Sequence, residues 1–446
     1  MDGSLAEAQS SYVIEAPVQS LKSQSETVGV VGLGYVGLPV SIAFADVFET
    51  VIGYDINPDR INTLRDSHDW TNEVDEKTLM RSSLMVTTRS EDLASCTLYI
   101  VAVPTPVDSN NRPDLTPLLT TCRTIAPYLK NGDLVVFEST VFPGATQEYC
   151  GPELEKWSGL RVGQDFHIAY SPERISPGDK HHQLKDVPKI VSADNRVTLE
   201  RLAKVYERIV PAGVHRAASI KVAEAAKVFE NTQRDVNIAL MNEFSIICDK
   251  IGIRTRDVVR ATGTKWNALP FTPGLVGGHC IGVDPFYLTH KAEENGAHPE
   301  IMLASRRRNE EMAPIIAERA LNLLSKNQVN LSSARVAIYG ITFKEDVPDM
   351  RNSKVVDIIN ELKEAGLNPS IADPLADQVA VRELGLEITP SQHLSDLDLL
   401  LLAVPHKQFH DGKRLQEKIR KGGILMDIRS KMEPSMLRSD IQYWSL

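Results

Sequence analysis

Short apolar runs, each closed by turn residues, alternate along this chain with longer amphipathic stretches. Val28–Gly29–Val30–Val31 leads directly into Gly32–Leu33–Gly34–Tyr35–Val36–Gly37, and an amphipathic segment over about 38–47 follows. Val51–Ile52–Gly53–Tyr54–Asp55 is a second run and ends in an acid. A third, over 98–103, stops at Pro104–Thr105–Pro106, and a fourth, over 133–140, stops before Pro143–Gly144. Brief apolar runs bounded by Gly, Pro and polar residues predict strands buried on both faces, as in a parallel sheet. The same grammar returns over 335–340, 370–374, 399–405 and 424–429. Between the two series, 214–251 holds neither Gly nor Pro, and Val222, Ala226, Phe229, Val236, Ala239, Leu240, Phe244 and Ile247 recur at helical spacing. That predicts a helix of about 30 residues and about 45 Å, long enough to bridge two α/β units and offer a dimer surface. A second helical run is predicted over 299–327.

The strand, glycine turn, helix, strand and acid at 28–55 form a dinucleotide fingerprint. Gly32 is expected to make the tight turn, Gly34 to let a pyrophosphate approach the backbone, and Gly37 to let helix and strand pack closely. The helix N-terminus favours phosphate, and Asp55 is placed to accept from ribose hydroxyls. The absence of an Arg directly after Asp55 favours NAD over NADP, with Arg60 nearby as a further candidate contact. Thr105 and Thr140 end strands where ligands bind in open α/β sheets; ending the strands is their plain alternative role. The second series has one glycine at its first turn, a poor dinucleotide site, so a different nucleotide ligand is expected there. The reading is therefore an α/β chain of two Rossmann-like domains with parallel sheets, joined by a long central helix. Its expected parts are a disordered extension over 1–25, an NAD-binding domain over 26–213, a central helical and dimerisation region over 214–328, and a UDP-binding domain over 329–446.

The 446 residues carry a formal charge of −10 with no basic stripe, which speaks against nucleic acid as a partner. Five cysteines without a C-x-x-C pair suit a reducing cytoplasm and suggest no disulfide framework and no zinc site. No apolar run is long enough to span a bilayer, so no membrane partner is expected.

Gly277–Gly278–His279–Cys280–Ile281–Gly282–Val283–Asp284–Pro285 sets one cysteine among glycines with a carboxylate close behind. A thiolate attacks aldehydes, and a neighbouring Asp can manage protons; a buried structural thiol is the plain alternative. Glu224, Lys227, Asn231 and Asp235 fall on one face of the long helix, either as a solvated face or as an oxyanion-stabilising pair at Lys227 and Asn231. Glu173, in Ser171–Pro172–Glu173–Arg174, is a base or substrate-positioning group, or else a turn cap. Lys265–Trp266–Asn267 and Phe271–x–Pro273–Gly274 are expected to line the pocket beside the cysteine. Phe343–Lys344 and Asp349–x–Arg351 place two cations where a nucleotide diphosphate can be gripped. His181–His182 are expected at the surface, with no metal site.

These motifs together resemble the UDP-glucose/GDP-mannose dehydrogenase superfamily, from about residue 27 to the end of the chain. The residues that match are Gly32 to Pro39, Glu138–Ser139–Thr140, Ser171 to Arg174, Lys227 with Asn231, Gly277 to Cys280 with Asp284, and Phe343–Lys344 with Asp349 and Arg351. The chain is most similar to the UDP-N-acetylhexosamine 6-dehydrogenases of surface polysaccharide biosynthesis, through the cysteine segment and Tyr287–Leu288–Thr289–His290. Val283 stands where UDP-glucose dehydrogenases usually carry Lys. The resemblance implies NAD in the first domain and a UDP-N-acetylhexosamine (GlcNAc or GalNAc) whose UDP lies in the second. It implies cofactor contacts from Gly32, Gly34, Tyr35, Val36, Gly37, Asp55, Arg60, Thr105, Thr140 and Arg351, and substrate contacts from Glu173, Arg174, Lys227, Asn231, Gly277, Phe343 and Lys344. It further implies catalysis through Cys280, Lys227, Asn231, Asp284, Glu173 and Thr140, in a homodimer. UDP-ManNAc or UDP-glucose as substrate, a two-electron hydroxyacid-type dehydrogenase, and a non-catalytic nucleotide-sugar binder are the alternatives.

Overall fold

The computed structural model describes residues 26–108, 110–174, 183–278 and 280–446. The extension 1–25, His181–His182 and His279 lie outside the described residues.

Eight strands build the first sheet: β1 (Val28–Val31), β2 (Val51–Tyr54), β3 (Met85–Thr87), β4 (Leu98–Val101), β5 (Leu134–Phe137), β6 (His167–Tyr170), β7 (Lys189–Ala193) and β8 (Val214–Arg216). Their order is β3-β2-β1-β4-β5-β6-β7-β8. β1, β4 and β5 are buried along their whole lengths, as their unbroken apolar runs require. The sheet is not purely parallel: β6 and β7 pair antiparallel. Their connection carries Pro172, Pro177, Gly178 and Pro188, and among its described residues the one helical turn, Leu184–Asp186, is too short for the crossover that a parallel neighbour needs. The second sheet, β9 (Val336–Tyr339), β10 (Ser370–Ala372), β11 (Leu397–Leu402), β12 (Ile419–Asp427) and β13 (Gln442–Ser445), has order β10-β9-β11-β12-β13 and is parallel throughout.

The long helix is Ile220–Ile251, 32 residues, with the Ser219 side chain accepting from the Val222 N–H and Gly252 closing it in a left-handed conformation. Residues 214–216, expected within the helical region, are instead strand β8, paired parallel to β7. At the start of the helix, the Glu224 carboxylate accepts the backbone N–H of Gly144 (2.6 Å) and of Thr146 (2.9 Å), just beyond β5. Near its end, Asp249 Oδ1 accepts from Trp444 Nε1 of β13 (2.9 Å) and from Arg319 (2.8 Å). The helix thus touches both sheet units. Its outward apolar residues, Phe229 (58% exposed) and Leu240 (63%) with Val222, Ile247 and Ile251, form one stripe. The run expected over 299–327 is two helices, Glu300–Glu310 and Met312–Lys326. Pro314 has no N–H for the Glu310 carbonyl one turn back, which interrupts the ladder there.

Candidate active site

In the first sheet the strand order reverses between β1 and β4, and a ligand crevice opens beyond their carboxyl ends. Gly32 has φ +90°, and a Cβ on it would stand 2.8 Å from the Ala102 carbonyl oxygen. A Cβ on Gly37 would stand 1.8 Å from the Gly32 oxygen, so the helix Gly37–Ala45 sits directly on the turn. Gly34, by contrast, faces open space, and a dinucleotide's pyrophosphate fits against it. Tyr35 follows in the turn and Val36 caps the helix. Asp55 is partly exposed at the end of β2; it accepts from the N–H of Leu33 (2.8 Å) and of Asn57 (2.9 Å). Thr105 Oγ1 donates to the Thr140 carbonyl (2.7 Å), and Tyr287 Oη donates to the Thr105 carbonyl, so the ends of β4 and β5 are tied together. Arg60, expected among the cofactor contacts, is 1% exposed. Its Nε holds the Leu33 carbonyl (2.7 Å) and its Nη1 lies 2.8 Å from Asp69. Burial and this pairing make it a brace behind the glycine turn.

The second sheet repeats the device. Gly340 has φ +86°, its N–H bonds the Ala372 carbonyl (2.8 Å), and Asp373 accepts from Ile341 N–H (2.6 Å), as Asp55 does from Leu33. Asp373 also accepts from Leu375 N–H, as Asp55 does from Asn57 N–H, and differs in bonding His406 Nε2 (3.0 Å), a fully buried ring. Burial alone raises this acid, but His406 and the Ile341 N–H hold it below the usual carboxylate range.

Between the two crevices lies the cysteine turn. The Cys280 carbonyl accepts from the N–H of Val283 (3.1 Å) and Asp284 (2.8 Å), which turns the chain into the helix Asp284–Glu294. Asp284 is 2% exposed and accepts from Asn231 Nδ2 (2.6 Å). Burial lifts its pKa to about 6, against the pull of Lys227 and the Asn231 bond. Burial and Asp284 push the Cys280 thiol up, while Lys227 and Arg351 pull it down. Lys227 and Asn231 are both buried, so this part of their helix face is not a solvated one. Glu173 is buried too, with Lys189 Nζ 3.9 Å away. Arg174 is half-buried and bonds the Pro188 carbonyl (3.0 Å) and Glu230 (3.4 Å).

Two motif cations part company. Arg351, chelated by Asp349, lies 4.4 Å over the Tyr35 ring and so reaches from the second half of the chain onto the first glycine turn. Lys344 instead lines a cavity of about 460 Å³ at the ends of β9, β11 and β12, with Phe343, Pro405, Arg429 and Lys431. A smaller cavity of about 330 Å³ adjoins it, and both are lined by Val276, Gly277, Ser353 and Lys354. Trp266 was expected to line the ligand pocket; it is 91% exposed, and neither cavity includes it. Pro273 does reach the site's edge, through Arg429 Nη1 on its carbonyl (3.3 Å).

Sequence reasoning missed Lys189, whose Nζ bonds Glu138 (2.9 Å) while Tyr206 Oη donates to the same carboxylate behind the site. A lysine inside an apolar strand run was the available signal. It also missed Arg429, Lys431 and Lys354, the first of which closes a predicted strand.

Among the described residues no cluster of His, Cys, Asp and Glu fits a metal ion, no helix is long and apolar enough to cross a membrane, and the five cysteines are unpaired.

Models of the UDP-glucose/GDP-mannose dehydrogenase family match the chain in three pieces: the NAD binding domain over 26–210, the central domain over 221–311 and the UDP binding domain over 337–434. Protein CapL of Staphylococcus aureus is 50% identical over 424 residues, 95% of this chain and 100% of that protein. A UDP-N-acetyl-D-glucosamine 6-dehydrogenase of Pseudomonas aeruginosa is 48% identical over 421 residues, 93% of this chain and 99% of that protein. The solved UDP-D-ManNAc dehydrogenase from Pyrococcus horikoshii superposes with a TM-score of 0.83 at 30% identity, covering 94% of this chain and 98% of that one.

Proposed function

Because the chain belongs to the UDP-glucose/GDP-mannose dehydrogenase family and is an NAD-dependent oxidoreductase acting on a nucleotide sugar, we propose that it oxidises C6 of a UDP-N-acetylhexosamine, GlcNAc or GalNAc, twice, to the uronic acid. One observation carries the reading: a cysteine stands at the junction of two nucleotide crevices, beside a buried Asp284 under the influence of Lys227 and bonded to Asn231.

Gly32, Gly34, Tyr35, Val36 and Gly37, with Asp55 at the ribose end and Thr105, Thr140 and Arg351 around them, would hold NAD⁺, which would supply the hydride acceptor for both oxidations of C6. Phe343, Lys344 and Gly277 hold the UDP-sugar. Asp284, ionised above its pKa of about 6, takes the C6 hydroxyl proton, and the Lys227 ammonium with Asn231 stabilises the oxygen that loses it. The Cys280 sulfur then bonds to the aldehyde carbon while its proton passes to the oxygen, giving a thiohemiacetal. Loss of the second hydride and of the hydroxyl proton leaves a thioester. Water cleaves the C–S bond to acid and thiol, with Glu173 and Thr140 placing the water. Arg174 fixes the Glu173 segment. The covalent link keeps a reactive aldehyde from escaping between rounds. The exposed stripe of Phe229 and Leu240 is where a second copy of the chain packs. A cytoplasmic location belongs to the same proposal, and nucleotide ligands and the absence of a disulfide among the five cysteines support it.

Wild type is expected to release two NADH per UDP-GlcNAc or UDP-GalNAc and to use these in preference to UDP-ManNAc and UDP-glucose. Cys280→Ala is expected to lose steady turnover by several orders of magnitude. Two NADH per sugar from Cys280→Ala at near wild-type rate would refute the covalent path, and a tenfold preference for UDP-glucose would refute the substrate.

A further inference from the structure

If the substrate is acetylated at C2, as proposed above, the acetamido group needs a seat that the geometry of the sugar constrains. C2 is bonded to C1, which carries the diphosphate, so the seat must share a wall with the diphosphate cavity. C6 reacts at Cys280, and C2 lies across the pyranose ring from the carbon that bears C6, so the seat must also lie within about a ring's width of the cysteine turn. The smaller cavity meets both conditions. It shares Val276, Gly277, Ser353 and Lys354 with the larger one, and Gly278, Gly282 and Val283 from around Cys280 line it. Its chemistry fits an amide bearing a methyl group. Val107, Val283 and Phe286 give it apolar walls. Arg306, also in its lining, is 3% exposed, lies 5.4 Å over the Phe286 ring and bonds Asp235 through Nη1 (2.6 Å). Its Nε has no hydrogen-bond partner among the described residues. A buried donor left unpaired is costly until something accepts from it.

We propose that this cavity is the acetamido subsite, with the methyl group against Val283 and Phe286 and the amide carbonyl accepting from Arg306 Nε. A sugar with a bare C2 hydroxyl leaves both features unused, so the cavity sets the preference for acetylated substrates.

Gly282 gives the test. Its φ is ordinary, and a Cβ there would meet nothing nearer than the carbonyl oxygens of Gly278 at 3.7 Å and Val276 at 3.8 Å, so a side chain enters the cavity without strain. The kcat/KM ratio of UDP-GlcNAc to UDP-glucose is measured for wild type, Gly282→Ala, Gly282→Val and Arg306→Lys, with Kd values for both sugars by calorimetry in case turnover is lost. The ratio is expected to fall about tenfold or more in Gly282→Val, the scale of a methylene misfit in a pocket, less in Gly282→Ala, and again in Arg306→Lys, which keeps a cation on Asp235 and removes Nε. Equal losses for the two sugars, in rate and in Kd, overturn the subsite. The wild-type ratio on its own tests the substrate reading, so the two failures are separable.

Discussion

Replacing Asp284 by Asn is expected to make the protein more stable at pH 8 while removing most of its activity. The side chain keeps its size, and its carbonyl still accepts from Asn231. Burial raises the Asp284 pKa from 3.8 to about 6. At about 1.36 kcal/mol per pK unit, a change from 3.8 to about 6 corresponds to about 3 kcal/mol. The attraction of Lys227 and the Asn231 bond are already contained in that shift. The sign follows from proton binding. The folded chain binds this proton more tightly than the unfolded one, so stability falls as pH rises from near 4 to near 6 and stays at the lower level above. Asn carries no charge and escapes that loss. Melting temperatures of wild type and Asp284→Asn, measured from pH 4.5 to pH 8, are expected to diverge through this window, the variant being higher at pH 8. NADH production by the variant is expected to drop on the order of 10²–10⁴-fold, the contribution of a positioned general base. In wild type kcat is expected to fall as pH drops through about 6. A variant less stable than wild type at pH 8, or a difference that does not change with pH, would sink the reasoning.

Glu224→Ala removes the only described acceptor for two buried N–H groups, Gly144 and Thr146, at about 1–3 kcal/mol each; a lower melting temperature and a lower kcat, from loosening of the segment that follows Thr140, are expected, and unchanged kcat would argue against that coupling. The double substitution Phe229→Glu, Leu240→Glu puts charges on the apolar stripe, and size-exclusion with light scattering is expected to shift from dimer to monomer; an unchanged mass excludes the stripe as the dimer surface.

Much of this architecture was legible because its strands are buried on both faces. A run such as 28–31 or 399–402 has one physical solution in a chain of this length, and the glycine turn and Asp55 specify where the first crevice opens. The cysteine turn and Lys227 with Asn231 were readable for another reason: residues poorly suited to their local setting, such as Asn within a helix, need a partner elsewhere. What escaped depends on tertiary pairing. β8 is three residues long, too short for any periodicity. The antiparallel turn of β7 shows only in what the connection lacks. Arg60 reads as a cation near a phosphate until Asp69, nine positions on, is seen to claim it. Lys189 with Glu138 joins segments distant in sequence, as does Arg351 with Tyr35, and no spacing rule reports either.

A chain that uses one nucleotide-binding turn twice, on either side of a single cysteine, faces a problem of mistaken identity: the ligand of one crevice can be drawn to the other. His406 answers it. In the first crevice Asp55, the acid after β2, remains partly open toward solvent, as the proposed ribose contact requires. In the second, the corresponding Asp373 is enclosed by backbone N–H groups and a buried imidazole. The lock is filled from within by the protein's own key, which would leave the dinucleotide to the first half of the molecule.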